Sequence, residues 1–256
     1  MNHITADSFR EAAKKYGADA CYIADISRFD DLPKGRNPRD ILPWAKCVIC
    51  LVMRVPRALL YDMSTPRQRK NYVSLGVDCL DEDYTQLLLL RLAGIIEDNG
   101  YDACVQRGTP NLKRAGDPRD NPEVGSVYEL KHARAVREDL PAPDVLLDFP
   151  DAAKRCGAGD VGLRGNFLSE RFGPLARLAF IITDAPLACD EPVTRTLCDR
   201  CGDCIRACGY VEDNAACANA YRGEHPSQRG YSACACGRVC DLACLKHLRE
   251  KGVVNV

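Results

Sequence analysis

The sequence predicts a mixed α/β domain over residues 1–190 with a small cysteine-dense module appended over 191–256. Three observations carry that prediction. The run Cys47-Val-Ile-Cys50-Leu-Val-Met-Arg-Val55 is rich in branched residues and does not alternate, as expected of a central strand covered on both faces. Apolar residues recur at helical spacing over 8–16 and 81–99. Nine of the sixteen cysteines fall between Cys198 and Cys244, whereas the other seven are scattered from Cys21 to Cys189.

The first helix is expected over 8–16. Phe9, Ala12, Ala13 and Tyr16 share a face, Ser8 with Glu11 offers a capping box, and Gly17 offers a stop. A short apolar run follows over 20–24, then a loop rich in Asp, Arg, Pro and Gly over 27–39, then the central strand over 47–55. The second helix, over 81–99, has acidic residues at its start and Gly100 just past its end. Strands are expected over 102–106, 145–148 and 176–183. The Gly-, Pro- and Arg-rich stretch 107–123 is too long for a simple connection; it reads as a candidate lid or a surface excursion. Residues 186–194 form the passage into the cysteine module.

With 256 residues, 46% of them hydrophobic, the chain has enough apolar material for one main core and a satellite. Lysine plus arginine (35) nearly balances aspartate plus glutamate (36), so no polycationic surface for a nucleic-acid duplex is expected. No segment approaches the ~18 consecutive apolar residues of a membrane span, and the N-terminus has no basic region leading into an apolar run. A cytoplasmic protein without membrane partners is the expectation, with the oligomeric state open. In a reducing compartment disulfides rarely persist, so sixteen cysteines point to metal or cluster ligation.

The strongest signal is Cys198-Asp-Arg-Cys201-Gly-Asp-Cys204-Ile-Arg-Ala-Cys208. This is C-x2-C-x2-C-x3-C, in which three thiolates wrap one iron–sulfur cubane and the fourth turns toward a second. The spacing makes a tight loop whose sulfurs point inward and whose backbone N–H groups face the charge of the cluster, and Gly202 permits close approach. Cys236, Cys240 and Cys244 are spaced four apart and would share one helix face. Two [4Fe-4S] clusters are therefore expected in a ferredoxin-like module, the first on Cys198, Cys201, Cys204 and Cys244, the second on Cys208, Cys217, Cys236 and Cys240. Cys234 is left over and competes with Cys236. Structural zinc is the alternative, although zinc knuckles use two CxxC pairs with a longer spacer.

The segment from Ala152 to Asn166, with Cys156-Gly157-Ala158-Gly159-Asp160-Val161-Gly162-Leu163-Arg164-Gly165-Asn166, runs on to Arg171-Phe172-Gly173-Pro174-Leu175 and Ile182-Thr183-Asp184-Ala185-Pro186-Leu187 just before the cysteine motif. Together with the opening helix and Asp40-Ile41-Leu42-Pro43-Trp44-Ala45-Lys46-Cys47, this order resembles the family of epoxyqueuosine reductase and the reductive dehalogenases. The resemblance implies a nitroreductase-like α/β domain, a two-cluster module and, in many members, a cobalamin at the junction. It also implies a proton-donating aspartate ahead of the glycine-rich segment; Asp148 is the similar position, a helix cap being the competing reading. Three departures stand out: Gly209 and Leu245 occupy positions where proline is usual, the chain stops twelve residues after Cys244, and no twin-arginine leader is present.

Other signals were weighed against plainer readings. Gly157, Gly159 and Gly162 match G-x-G-x-x-G, but the preceding residues read as helix, so a loop against a cofactor or the cluster module is preferred to a dinucleotide site. Arg164, Asn166 and Arg177 are candidates for an anionic group of a substrate or corrinoid, with solvated surface as the alternative. Cys47 and Cys50 would point to opposite faces of a strand and so read as core thiols, as do Cys21, Cys104 and Cys156. His247, one turn past Cys244, either tunes a cluster or sits exposed at a helix end. The function expected is an iron–sulfur reductase passing single electrons from a ferredoxin- or flavodoxin-type partner to a small molecule or corrinoid. A non-catalytic electron carrier, or a reductive activator of a corrinoid protein, is the second expectation.

Overall fold

The computed structural model describes residues 4–33, 36–60, 74–106, 147–163, 165–192, 194–207 and 239–254. The stretch 107–123, Arg164, Cys208, Cys217, Cys234 and Cys236 lie outside the described residues.

Helix α1 spans Ala6–Lys15 and buries Ala6, Phe9 and Ala13. Its N-cap is Thr5 rather than Ser8: the Thr5 hydroxyl accepts from the Ser8 N–H while Ser8 reaches back to the Thr5 backbone, so Ser8 is the third helical residue of the box. Strand β1 (Ala20–Asp25) and strand β2 (Cys47–Arg54) follow. A π-helical stretch, Ser74–Tyr84, leads into α2 (Thr85–Asp98), so the helix expected from residue 81 becomes regular only at Thr85. The cause is local. The Thr85 hydroxyl donates to the Leu80 carbonyl, and Tyr84 is held aside by donating its hydroxyl to the Gly17 carbonyl at 2.9 Å.

Next come β3 (Ala103–Gln106), α3 (Phe149–Arg155), a hairpin of β4 (Gly159–Val161) and β5 (Phe167–Ser169), β6 (Ala176–Thr183), the short α4 (Asp203–Arg206) and α5 (Val239–Glu250). Within the strand expected over 145–148, residues 147–148 are not extended in a sheet; Asp148 instead caps α3.

The main sheet has the order β1-β2-β6-β3, and all its pairs are antiparallel. This is the α+β form of the mixed class expected. Strand β2 lies inside it with seven of eight residues buried. Its even-numbered residues Val48, Cys50 and Val52 meet Leu178, Phe180 and Ile182 on one face, and that face is covered by Ala152, Ala153 and Cys156 of α3, by Phe167 and Leu168 of the hairpin, and by Leu245, Leu248 and Val254 near the C-terminus. Its odd-numbered residues Cys47, Ile49, Leu51 and Met53 join Ala179 and Ile181 on the other face, beneath Phe9 and Ala13 of α1 and Leu88, Leu89, Leu92 and Ile96 of α2. Two covered faces explain why the run lacks alternation. The C-terminal helix thus completes a core that the sheet begins.

Candidate metal centre

The chain leaves β6 along the edge of the sheet. Asp190 donates its N–H to the Ile23 carbonyl at 2.7 Å, and its carboxylate accepts from the Ile23 N–H at 2.7 Å and from Arg10 at 2.9 Å. The linker is then caught by Asp160 of β4. One oxygen of this buried carboxylate takes the Lys154 ammonium at 2.8 Å and the other accepts the Leu197 N–H at 3.0 Å, one residue before Cys198. Burial opposes ionisation of Asp160, but these donors outweigh it and hold its carboxyl below the usual aspartate range.

From Leu197 the backbone curls tightly. Arg200 (φ 59°) and Gly202 (φ 83°), on either side of Cys201, both adopt left-handed conformations. Gly202 suits this left-handed position, and the neighbouring Arg206 guanidinium donates to the Cys201 carbonyl at 3.0 Å. The curl brings Cys198, Cys201 and Cys204 to line one recess that is partly open to solvent. Cys244 and His247 of α5 close its far side, and Gly162, Leu163 and Asn166 of the hairpin turn form its floor. Leu163 donates its backbone N–H to the Cys198 sulfur at 3.3 Å.

These are the four cysteines the spacing nominates for a first cluster, and the donor set fits one. Four cysteines line a single recess, an N–H is already aimed at one sulfur, and the walls are otherwise mostly apolar. Cys198, Cys201, Cys204 and Cys244 would hold the iron, and the bound cluster would supply one-electron chemistry. Cys240, one turn before Cys244, is buried instead against Cys204 and Ile205 and does not line the recess. Its proposed companions Cys208, Cys217 and Cys236 lie outside the described residues.

The histidine is neither exposed nor isolated. His247 bonds Asp199 through Nε2 at 2.8 Å, and its Nδ1 lies 3.0 Å from an Asp203 carboxylate oxygen, with its side chain 15% exposed. Asp199, Asp203 and Asp160 were missed by reasoning from the sequence, although the acids beside Cys198 and Cys204 and the three-residue step from Cys244 to His247 were visible there.

The glycine-rich segment has a structural role. Gly157 (φ 83°) ends α3: its N–H donates to the Lys154 carbonyl and that of Ala158 to Ala153, while a Cβ would lie 2.5 Å from the Glu191 carbonyl. Gly159 is already in β4, and a Cβ there would meet the Leu168 carbonyl at 2.1 Å; one on Gly162 would meet Asn166 Oδ1 at 2.6 Å. Residues 159–161 are therefore strand β4, and Gly162, just past it, lines the recess beside the cysteine loop. Asn166 is buried in the hairpin turn, where its backbone carbonyl accepts from the Gly162 N–H at 2.7 Å. Arg177 pairs with Met53 in the sheet register and belongs to the face covered by α1 and α2, away from the recess. Asp148 accepts from the Asp151 N–H at 3.2 Å as the cap of α3.

The core thiols separate cleanly from the recess. Cys50 and Cys156 are fully buried, and burial pushes both thiols well above their ordinary range; it pushes Cys21 and Cys47 up to about 12. Such thiols stay protonated and inert. Cys47 and Cys50 do face opposite sides of the sheet.

No family model matches the chain, and no curated protein matches it. Among the described residues no helix is long and apolar enough to cross a membrane. Solved structures do match. Epoxyqueuosine reductase from Streptococcus thermophilus superposes with a TM-score of 0.50 at 18% identity, over 82% of this chain and 55% of that one. Epoxyqueuosine reductase from Bacillus subtilis, with its catalytic loop swung out of the active site, gives 0.50 at 18% identity over 87% and 55%. A reductive dehalogenase whose structure suggests a mechanism for B12-dependent dehalogenation gives 0.54 at 14% identity over 80% and 25%. The chain spans about half the length of the reductases and a quarter of the dehalogenase. The likeness expected from the sequence is therefore met in the fold: this chain shares the architecture of epoxyqueuosine reductase and the reductive dehalogenases.

Proposed function

We propose that this chain is an iron–sulfur oxidoreductase that takes single electrons from a ferredoxin- or flavodoxin-type partner through two [4Fe-4S] clusters and delivers them to a small molecule held by the α/β domain. The observation that carries the reading is the convergence of Cys198, Cys201, Cys204 and Cys244 on one recess, from segments some forty residues apart. Disulfide formation or packing alone does not call for four thiols around one opening that a backbone N–H also faces. The second cluster is proposed on Cys240 together with Cys208, Cys217 and Cys236, from their spacing. The shared fold supports the enzymatic form of the reading.

Within this scheme the chain's own groups hold and shield. Asp160 and Leu163 fix the entry of the cysteine loop, and Leu168 and Leu248 line the recess with apolar surface that lowers the local dielectric, one of the factors that set cluster potentials. No step is assigned to cobalamin, because the glycines nominated for it are filled by neighbouring backbone and side chains.

Anaerobically purified protein is expected to carry about eight iron and eight sulfide per chain. Cys198→Ala and Cys244→Ala should each lose about four, while Cys156→Ala should lose none. Iron loss in Cys156→Ala but not Cys244→Ala, or zinc in place of iron in the wild type, would overturn the assignment.

A further inference from the structure

The recess is built from two pieces of chain that have no covalent reason to stay together. Cys198, Cys201 and Cys204 sit on a loop with two left-handed residues, and Cys244 sits on α5. Four sulfurs can share a cluster only if the loop is kept at one distance and one rotation from the helix. The apolar contact of Cys204 and Ile205 with Cys240 secures the far end of the loop. Near Cys201 the fastening is polar.

We propose that His247 is the positioning residue of the first cluster site, latching the cysteine loop to the C-terminal helix by bonding Asp199 while its other nitrogen meets Asp203. The inference rests on the reading of the recess as a cluster site. Its geometry is specific. His247 follows Cys244 by three residues, which places both on the helix face turned to the recess. Asp199 and Asp203 bracket Cys201 by two residues on each side, so one rigid ring, 2.8 Å from the first carboxylate and 3.0 Å from the second, fixes both the height and the rotation of that cysteine. One carboxylate faces each ring nitrogen, so the ring cannot swivel without losing a neighbour. The two anchors are themselves braced. Asp199 accepts the Cys201 N–H at 3.2 Å, and Asp203 is paired with Arg206, which in turn holds the Cys201 carbonyl. Asp199 Oδ, Cys201 Sγ and the His247 ring nitrogen lie within 4.8 Å of one another, so the latch closes directly behind a sulfur that would bind iron.

Outer partners of this kind are worth about 10–100-fold in metal retention. The test uses the full-length chain with its clusters assembled anaerobically, and measures iron release to a ferrous chelator together with the EPR line shape of the dithionite-reduced protein. His247→Leu, which keeps the bulk and removes both contacts, should release the iron of one cluster about 10–100-fold faster and alter the line shape. His247→Arg, whose guanidinium can reach both carboxylates, should restore both readouts. Should His247→Leu fail to fold, Asp199→Asn/Asp203→Asn, which leaves α5 intact, should show the same acceleration. The latch is overturned if these variants keep iron as the wild type does, or if His247→Arg is as labile as His247→Leu. A wild type that takes up no iron removes the cluster reading itself, and the two failures are distinct.

Discussion

Asp160 shows how one side chain connects the α/β core to the metal loop. It is 3% exposed, and its two oxygens take Lys154 from α3 and the Leu197 N–H at the mouth of the recess. Asp160→Asn leaves an amide where two acceptors are needed, and should cost on the order of 1–3 kcal/mol at pH 7 by urea denaturation. The sign with pH follows from the depressed carboxyl. The contribution is full above the ordinary aspartate value of about 3.9 and is lost as pH falls through the lower value of the folded state. The gap between wild type and Asp160→Asn should therefore narrow on acidification, and a gap that widens would contradict the assigned pairing. Asp148 poses a different question at the same scale, since its cap bond explains its position without any chemistry. Asp148→Ala should lose about 1 kcal/mol of stability, and Asp148→Asn almost none, because asparagine caps equally well. Proton donation adds a signature of its own: Asp148→Asn would then fold normally and lose turnover.

Among the elements, the β4–β5 hairpin is the one whose sequence is most easily misread. Its glycines imitate a phosphate-binding fingerprint, yet each is small because something else occupies the space a Cβ would need. Gly159→Ala forces the β4 backbone against the Leu168 carbonyl and should destabilise the protein by on the order of 1–3 kcal/mol, as overpacking does, visible as a lower urea midpoint. A dinucleotide or corrinoid role would predict a binding defect with unchanged stability instead. Helix α1 teaches a milder lesson. A capping box was legible in its first turn, but Ser8 can act as cap or as third residue, and only the entry direction of the chain decides that Thr5 takes the cap. Likewise the start of α2 shifted because Thr85 and Tyr84 find partners at Leu80 and Gly17, one of them far away in sequence.

Across the whole molecule, the cysteine module is not a bead on a string. Leu245 and Leu248 of α5, with Val254 beyond it, are 2–3% exposed and complete the core face that also holds Phe172, Leu175 and Leu178. On the proposed reading, holding iron on Cys244 and burying these residues are coupled, because both fix the same helix. Chelation of the iron should lower the thermal midpoint of the whole protein and speed amide exchange most over 239–254, while exchange in β2 and β6, deep in the sheet, accelerates only as far as the loss of global stability dictates. Unchanged exchange in α5 after complete iron removal would show that the helix is held by its apolar contacts alone.

What the sequence by itself determined were the features set by local spacing: the unalternating strand at Cys47–Arg54, the strand at Ala176–Thr183, the helix ending before Gly100, and the tight loop that carries Cys198, Cys201 and Cys204. Spacing along a chain fixes which face a residue shares and how tightly a loop can curl, so these survive folding unchanged. Tertiary structure alone decided that the sheet is antiparallel, that Arg177 looks away from the recess, that the glycines are filled, and that His247 lies between two aspartates. Each of these is a contact between segments distant in sequence, and no period or motif within one segment encodes the partner that another segment brings to it.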